Sequence, residues 1–169
     1  ISEDISEDIS EDEEDAAVEE ELLSDAPTSG ECGENATWEY DAESGTLTIS
    51  GEGAMYDYAS ASDDEASDSE KTPWSSFLGH DGFTKLVIGE GITSIGKNDF
   101  MGSSVTSIQF PENSLVKIGK AAFSNSSRIT SLEIPASVEE IGDVAFGFTL
   151  IENLVIPEGV QKIGDAAFY

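Results

Sequence analysis

The sequence predicts a mainly β fold: a solenoid of about four stacked repeats with short helical turns, entered through a β-hairpin and preceded by an acidic tail. Three observations predict it. Four similar words recur, ITSIGKNDF, LVKIGKAAF, VEEIGDVAF and VQKIGDAAF, and their glycines Gly96, Gly119, Gly142 and Gly164 stand 23, 23 and 22 residues apart. A fixed period in the twenties is the signature of repeats that cannot bury an apolar face alone and do so by stacking. Short apolar runs ended by Pro or Gly (LVIGEG, IQFPEN, LEIPAS, LVIPEG) separate the words and read as strands. Charge is also partitioned: residues 1–70 hold 25 of the 36 acidic residues and no Lys or Arg, so the net −29 lies almost wholly in the first half.

Residues 1–31 read as an acidic low-complexity tail. Ile1, Ile5 and Ile9 fall at helical spacing, and a transient helix is expected near 13–24. Like charges at i, i+4 repel there without a basic partner, so the tail is expected to be solvated and dispensable. Deleting residues 1–30 is expected to leave the melting temperature nearly unchanged.

Residues 32–83 read as an N-terminal hairpin cap. ATWEYD and TLTIS alternate in polarity around the turn residues AESG. Trp38 and Tyr40 share one face with Leu47 and Ile49, while Thr37, Glu39, Thr46 and Thr48 point to water. Residues 59–72 form an acidic loop, and Pro73 starts a short helix that buries Trp74, Phe77 and Leu78. The lone Cys32 forms no intrachain disulfide and reads as a buried small residue.

Residues 84–169 are the repeats. The expected core is Leu86, Ile88, Ile92, Ile95 and Phe100; then Ile108, Phe110, Leu115, Ile118, Ala122 and Phe123; then Leu132, Ile134, Val138, Ile141, Ala145 and Phe146. Leu154, Ile156, Val160, Ile163, Ala167 and Phe168 complete it. The recurrent Gly marks a tight corner. The final word stops at Tyr169, so the repeats are read as truncated, with a last repeat that frays or pairs with another copy.

Composition excludes several function classes. Phosphate binding needs a Lys/Arg stripe, which is missing, so no nucleic-acid partner is expected. No apolar run approaches the ~18 residues of a membrane span. GITSIGK at 91–97 has the spacing of a phosphate-binding loop, but Asn98 stands at the Mg²⁺-ligand position, and GVQKIGD repeats the glycines without the Lys. His80 beside Asp81 lacks a nucleophile motif, and SDDEASDSE lacks the ligand order of a calcium loop. No catalytic, cofactor-binding or metal residues are assigned.

The pattern LxIPxxVxxIGxxAF, with CGENATWEYDAESGTLTISGEGAMYDY and PW ahead of it, resembles the BspA-type bacterial leucine-rich repeat over residues 30–169. The resemblance implies a right-handed solenoid, an extracellular or cell-surface location, and binding rather than catalysis; some family members are adhesins for host proteins. Two departures stand out. Ser103, Ser126 and Thr149 occupy the place where the family often has Cys or Asn, which weakens the expectation of a stacked hydrogen-bonding ladder. Asp99 replaces the repeated Ala, and the first repeat is expected to be open to water there.

What remains is surface. Residues between two core positions face out and stack in rows, here Val87, Gln109, Glu133 and Val155 on one sheet and Ser94, Lys117, Glu140 and Lys162 on the other. These rows are the candidate partner-binding surface. The expected function is a secreted leucine-rich-repeat module for a protein or glycan ligand, including host adhesion. A structural spacer, or an accessory module of a larger surface protein or enzyme, is the alternative.

Overall fold

The computed structural model describes residues 27–60, 65–78 and 82–169. The tail before Pro27 with its expected helix, the loop residues 61–64 and His80 with Asp81 lie outside the described residues.

The hairpin forms where alternation and turn chemistry place it. Strands β2 (Gly33–Asp41) and β3 (Thr46–Met55) pair antiparallel, with Trp38 opposite Ile49 and Tyr40 opposite Leu47. The Asp41 carboxylate accepts the Glu43 N–H and the Ser44 hydroxyl and so closes the turn. A further strand, β1 (Ser29–Glu31), pairs with β2, so the sheet begins inside the segment that composition assigned to the tail. A deletion through residue 30 therefore cuts into folded structure.

The second hairpin strand is also the first rung of the repeats. β3 pairs in parallel with β4 (Lys85–Ile88) through Thr46–Ile49 and with β5 (Ile92–Ile95) through Gly53 and Ala54. It serves both by bending at Gly51 and Gly53, whose φ values of 108° and 89° suit glycine.

Each repeat adds one strand to each of two parallel ladders. The second ladder is continuous: β5, β7 (Lys117–Ile118), β9 (Glu140–Ile141) and β11 (Lys162–Ile163) pair in register. The first ladder is interrupted. β4 pairs with β6 (Ser107–Gln109), and β8 (Ser131–Glu133) pairs with β10 (Asn153–Val155), but β8 and β10 form a separate sheet. The break falls at the longest repeat: 24 residues separate Ser107 from Ser131, against 22 from Lys85 to Ser107 and from Ser131 to Asn153. The extra residues flank β7, whose pairing holds, so the displacement is taken up by the first ladder.

The expected helical turns within the repeats do not form. The only helical pieces among the described residues are two 3₁₀ turns, Asp68–Glu70 and Ser75–Phe77, ahead of the first repeat. In the repeats the segment after each Gly is a turn whose second residue, Asn98, Ala121, Val144 or Ala166, is left-handed, with φ between 52° and 61°. Such a residue cannot continue a right-handed helix. The turns form a third line of contact instead. Asn98, Phe100 and Gly102 donate their N–H groups to Lys120, Ala122 and Ser124 of the next repeat, and the pattern recurs from Ala121 and from Val144. Inside this line Phe100, Phe123, Phe146 and Phe168 stack face to face at 5.2–5.5 Å.

The expected core positions of the first and third repeats are all buried. Ile108 and Phe110 of the second are half-buried, as are Leu154, Val160 and Phe168 of the fourth, whose Ile156 and Ile163 are 38% and 49% exposed. One core row escaped the sequence reading: Phe83, Val105 and Ile129 are buried and Ile151 half-buried, each three residues before a strand leucine or isoleucine.

The N-terminal segment meets the first repeat by imitating a repeat. The Trp74 indole stacks on Phe100 at 5.4 Å, extending the phenylalanine column, and its Nε1–H donates to the Asp99 carbonyl at 2.8 Å. The Tyr58 N–H donates to the Lys97 carbonyl at 3.0 Å. These are the carbonyls that in later repeats take N–H groups from the preceding turn. Asp99 completes the substitution. Gly119, Gly142 and Gly164 donate their N–H groups to the isoleucine carbonyl of the preceding repeat. Gly96 donates instead to Asp99 Oδ2 at 2.7 Å. The expectation of an open, wet Asp99 is thus wrong. The residue is fully buried because it supplies the acceptor that no preceding repeat provides.

Candidate interaction surfaces

The glycine corners define the main surface feature. A Cβ on Gly119 would sit 2.6 Å from the Gly96 carbonyl, so the corners stack only as bare backbone. The column continues through Gly142 and Gly164, and at its N-terminal end the Tyr56 carbonyl lies against Gly96. A groove follows this column. Its N-terminal part encloses about 450 Å³ between Ala54–Asp57, Ser94, Lys97, Lys117 and Lys120, with Gly119 at its floor. Its C-terminal part, about 130 Å³, runs past Glu140, Gly142, Asp143, Lys162 and Gly164.

One side of the groove is the expected row Ser94, Lys117, Glu140 and Lys162, aligned by the second ladder. Its charges are partly spent on each other: Glu140 lies 2.8 Å from Lys162 and 3.7 Å from Lys117. The Lys162 hydrogen bond holds the Glu140 carboxyl below its ordinary range, and Glu140 in turn raises the Lys162 ammonium. The pairs are exposed and screened by water, so their net stabilisation is small. The other side is a row absent from the sequence reading: Lys97, Lys120, Asp143 and Asp165, each following a corner glycine. Asp57 and Asp143 turn a carboxylate onto the next rung, accepting the N–H of Lys97 and of Asp165. Among the described residues Lys97 and Lys120 carry no ion pair, so the N-terminal part of the groove is basic.

The other expected row is split. Val87 aligns with Gln109, and Glu133 with Val155, but the pairs belong to different sheets. At the break lies a depression of about 590 Å³ lined by Ile108, Leu132, Glu133 and Val155, the last 77% exposed.

A short hydroxyl ladder exists where the sequence made one doubtful. Ser126 Oγ donates to the Phe100 carbonyl at 2.9 Å and stands 3.0 Å from Ser103 Oγ, while Thr149 Oγ1 bonds only within its own repeat. The GITSIGK segment falls on β5 and a corner rather than on a loop that opens a helix. Cys32 is fully buried, and burial, with the nearby Asp99, pushes its thiol up to about 12. It is therefore not a thiolate at neutral pH. Burial also drives the Asp99 carboxyl well above its ordinary range; the Gly96 N–H opposes this and Asp57 adds to it. Asp99 Oδ1, Trp38 Nε1 and Thr72 Oγ1 are buried without a hydrogen-bond partner.

Parallel strands at a period of 22–24 residues, with a phenylalanine column inside and bare glycine corners outside, define a leucine-rich-repeat protein. The BspA type leucine rich repeat region matches residues 70–169 in six copies, and the chain belongs to that family. Two crystal structures share the fold. A leucine-rich repeat protein from Eubacterium ventriosum ATCC 27560 is 24% identical, with a TM-score of 0.59 over 80% of this chain and 39% of that one. A leucine-rich repeat protein from Bacteroides ovatus ATCC 8483 is also 24% identical, with a TM-score of 0.52 over 80% of this chain and 37% of that one. The chain thus spans less than two fifths of the length of either. No curated protein matches it.

Proposed function

We propose that this chain is a non-catalytic binding module, secreted or displayed at a bacterial cell surface. In this reading it is a right-handed solenoid of about four coils, closed at one end by the cap of residues 32–83. Its ligand is a protein or glycan, as in adhesion to a host. The observation that carries the reading is the glycine-floored groove, along which successive coils present side chains in register. Repeat proteins bind through such rows because one substitution per coil re-cuts the surface without disturbing the core. The alternative of a spacer is favoured by one observation: Lys117, Glu140 and Lys162 neutralise one another along the axis.

The test immobilises the full chain and titrates purified extracellular-matrix proteins and a panel of defined glycans over it. Saturable binding that weakens on substituting Gln109 and Glu133, or Lys117 and Lys162, supports the module. Absence of saturable binding to every member of the panel supports the spacer.

A further inference from the structure

The N-terminal part of the groove has a composition of its own. Three of the chain's seven cations, Lys97, Lys117 and Lys120, line it with one carboxylate, Asp57; Lys117 also meets Glu140 at 3.7 Å, which leaves Lys97 and Lys120 as its unpaired ammonium groups among the described residues. The carboxylate is occupied with the Lys97 backbone N–H. Tyr56, 48% exposed, stands at the same wall one rung before Gly96. Neighbouring rungs are about 4.8 Å apart, so Lys97 and Lys120 present two ammonium groups in succession along the axis. Most backbone N–H groups of the groove are already committed. The Lys97 N–H goes to Asp57, that of Asn98 to Lys120, that of Gly119 to Ile95 and that of Ala121 to Asp143. A peptide cannot add itself here as a strand, so recognition falls on ammonium groups and one aromatic face.

We propose that this part of the groove binds an acidic polysaccharide. Its anionic groups, carboxylate or sulfate ester, face Lys97, Lys117 and Lys120, and one sugar ring lies with its C–H face on Tyr56. The proposal rests on the binding reading above and names the ligand class for it. The chain's large negative charge does not forbid it, because charges beyond about 8 Å are screened at physiological ionic strength. Binding should accordingly weaken with salt.

The experiment is affinity electrophoresis of the full chain through polygalacturonate, dextran sulfate and neutral dextran. Retention by either acidic polymer and not by the neutral one is expected, and which polymer retains it identifies the anion. The double variant Lys97→Gln/Lys120→Gln should bind about tenfold more weakly and Tyr56→Ala about fivefold, both with unchanged melting because the side chains are exposed. Lys85→Gln, on the other ladder, should match the parent chain. Lack of retention by both acidic polymers, or retention unaltered by the double variant, overturns the site. If a poly-glutamate peptide is held as tightly, with Tyr56→Ala silent, the ligand is an acidic protein and the glycan assignment falls. A chain that fails here yet binds a matrix protein keeps the general reading; one that binds nothing loses both.

Discussion

Replacing Trp74 tests whether the N-terminal segment stands in for a preceding repeat. Its indole is fully buried, stacks on Phe100, meets Trp38 and Tyr58 edge-on at 5.9 and 6.0 Å, and hydrogen-bonds the Asp99 carbonyl. Trp74→Phe keeps a ring on Phe100 but leaves that carbonyl buried and unpaired, at a cost of about 1–3 kcal/mol. Trp74→Ala also removes the ring and should cost about 3–5 kcal/mol from the cavity alone. Urea denaturation reads both. With a slope near 2 kcal/mol/M, the Phe variant should lose about 1 M of midpoint and the Ala variant about 2 M. Stacked repeats unfold in part, so amide exchange supplies the location. Protection should fall most in residues 85–104 and least in the third repeat. Two variants that stay within about 0.5 kcal/mol of the parent, the range of ordinary surface changes, would refute this role for Trp74. Protection lost evenly along the chain would refute it as well.

Asp99→Asn keeps an acceptor for Gly96 but cannot ionise. Below about pH 4 folded and unfolded Asp99 are both protonated; as pH rises the unfolded chain ionises first, because burial raises the folded carboxyl, so the parent loses stability. The Asn variant should therefore gain on the parent between pH 4 and 7, by up to about 1.4 kcal/mol per pH unit until the folded group ionises. A gap equal at the two pH values would show that Asp99 is not held neutral. Phe146→Ala removes a fully buried ring stacked at 5.2 Å on Phe123 and 5.5 Å on Phe168, and should cost about 3–5 kcal/mol in the same urea assay. An unmoved midpoint would place the ring outside the core. Residues 153–169 should exchange amides faster than 131–146, because Ile156 and Ile163 are wet while Ile134 and Ile141 are buried; equal protection in a proven monomer would contradict this.

Periodicity was enough to find the strands, the glycine corners and nearly all the core, because the second ladder, the corners and the phenylalanines stack in the same way from repeat to repeat. The row Phe83, Val105, Ile129 and Ile151 could have been found by the same reasoning, since its spacing follows the strand leucines. What periodicity could not convey is the meaning of residues that depart from it. Asp99 looks like a defect in a row of alanines until the missing isoleucine carbonyl beneath Gly96 is seen. Trp74 lies 26 residues before Phe100, ahead of the four repeated words, and joins the phenylalanine column by contact. The left-handed turns carry Asn, Ala, Val and Ala, so no residue type announces them. Lys97 and Lys120 are 23 residues apart in the chain and become neighbours only when two repeats stack. A repeated residue faces like surroundings wherever its repeat has a neighbour on each side, so local spacing determines its place. A residue used once is defined by what lies across from it, and that is set by the stacking hydrogen bonds of the tertiary structure.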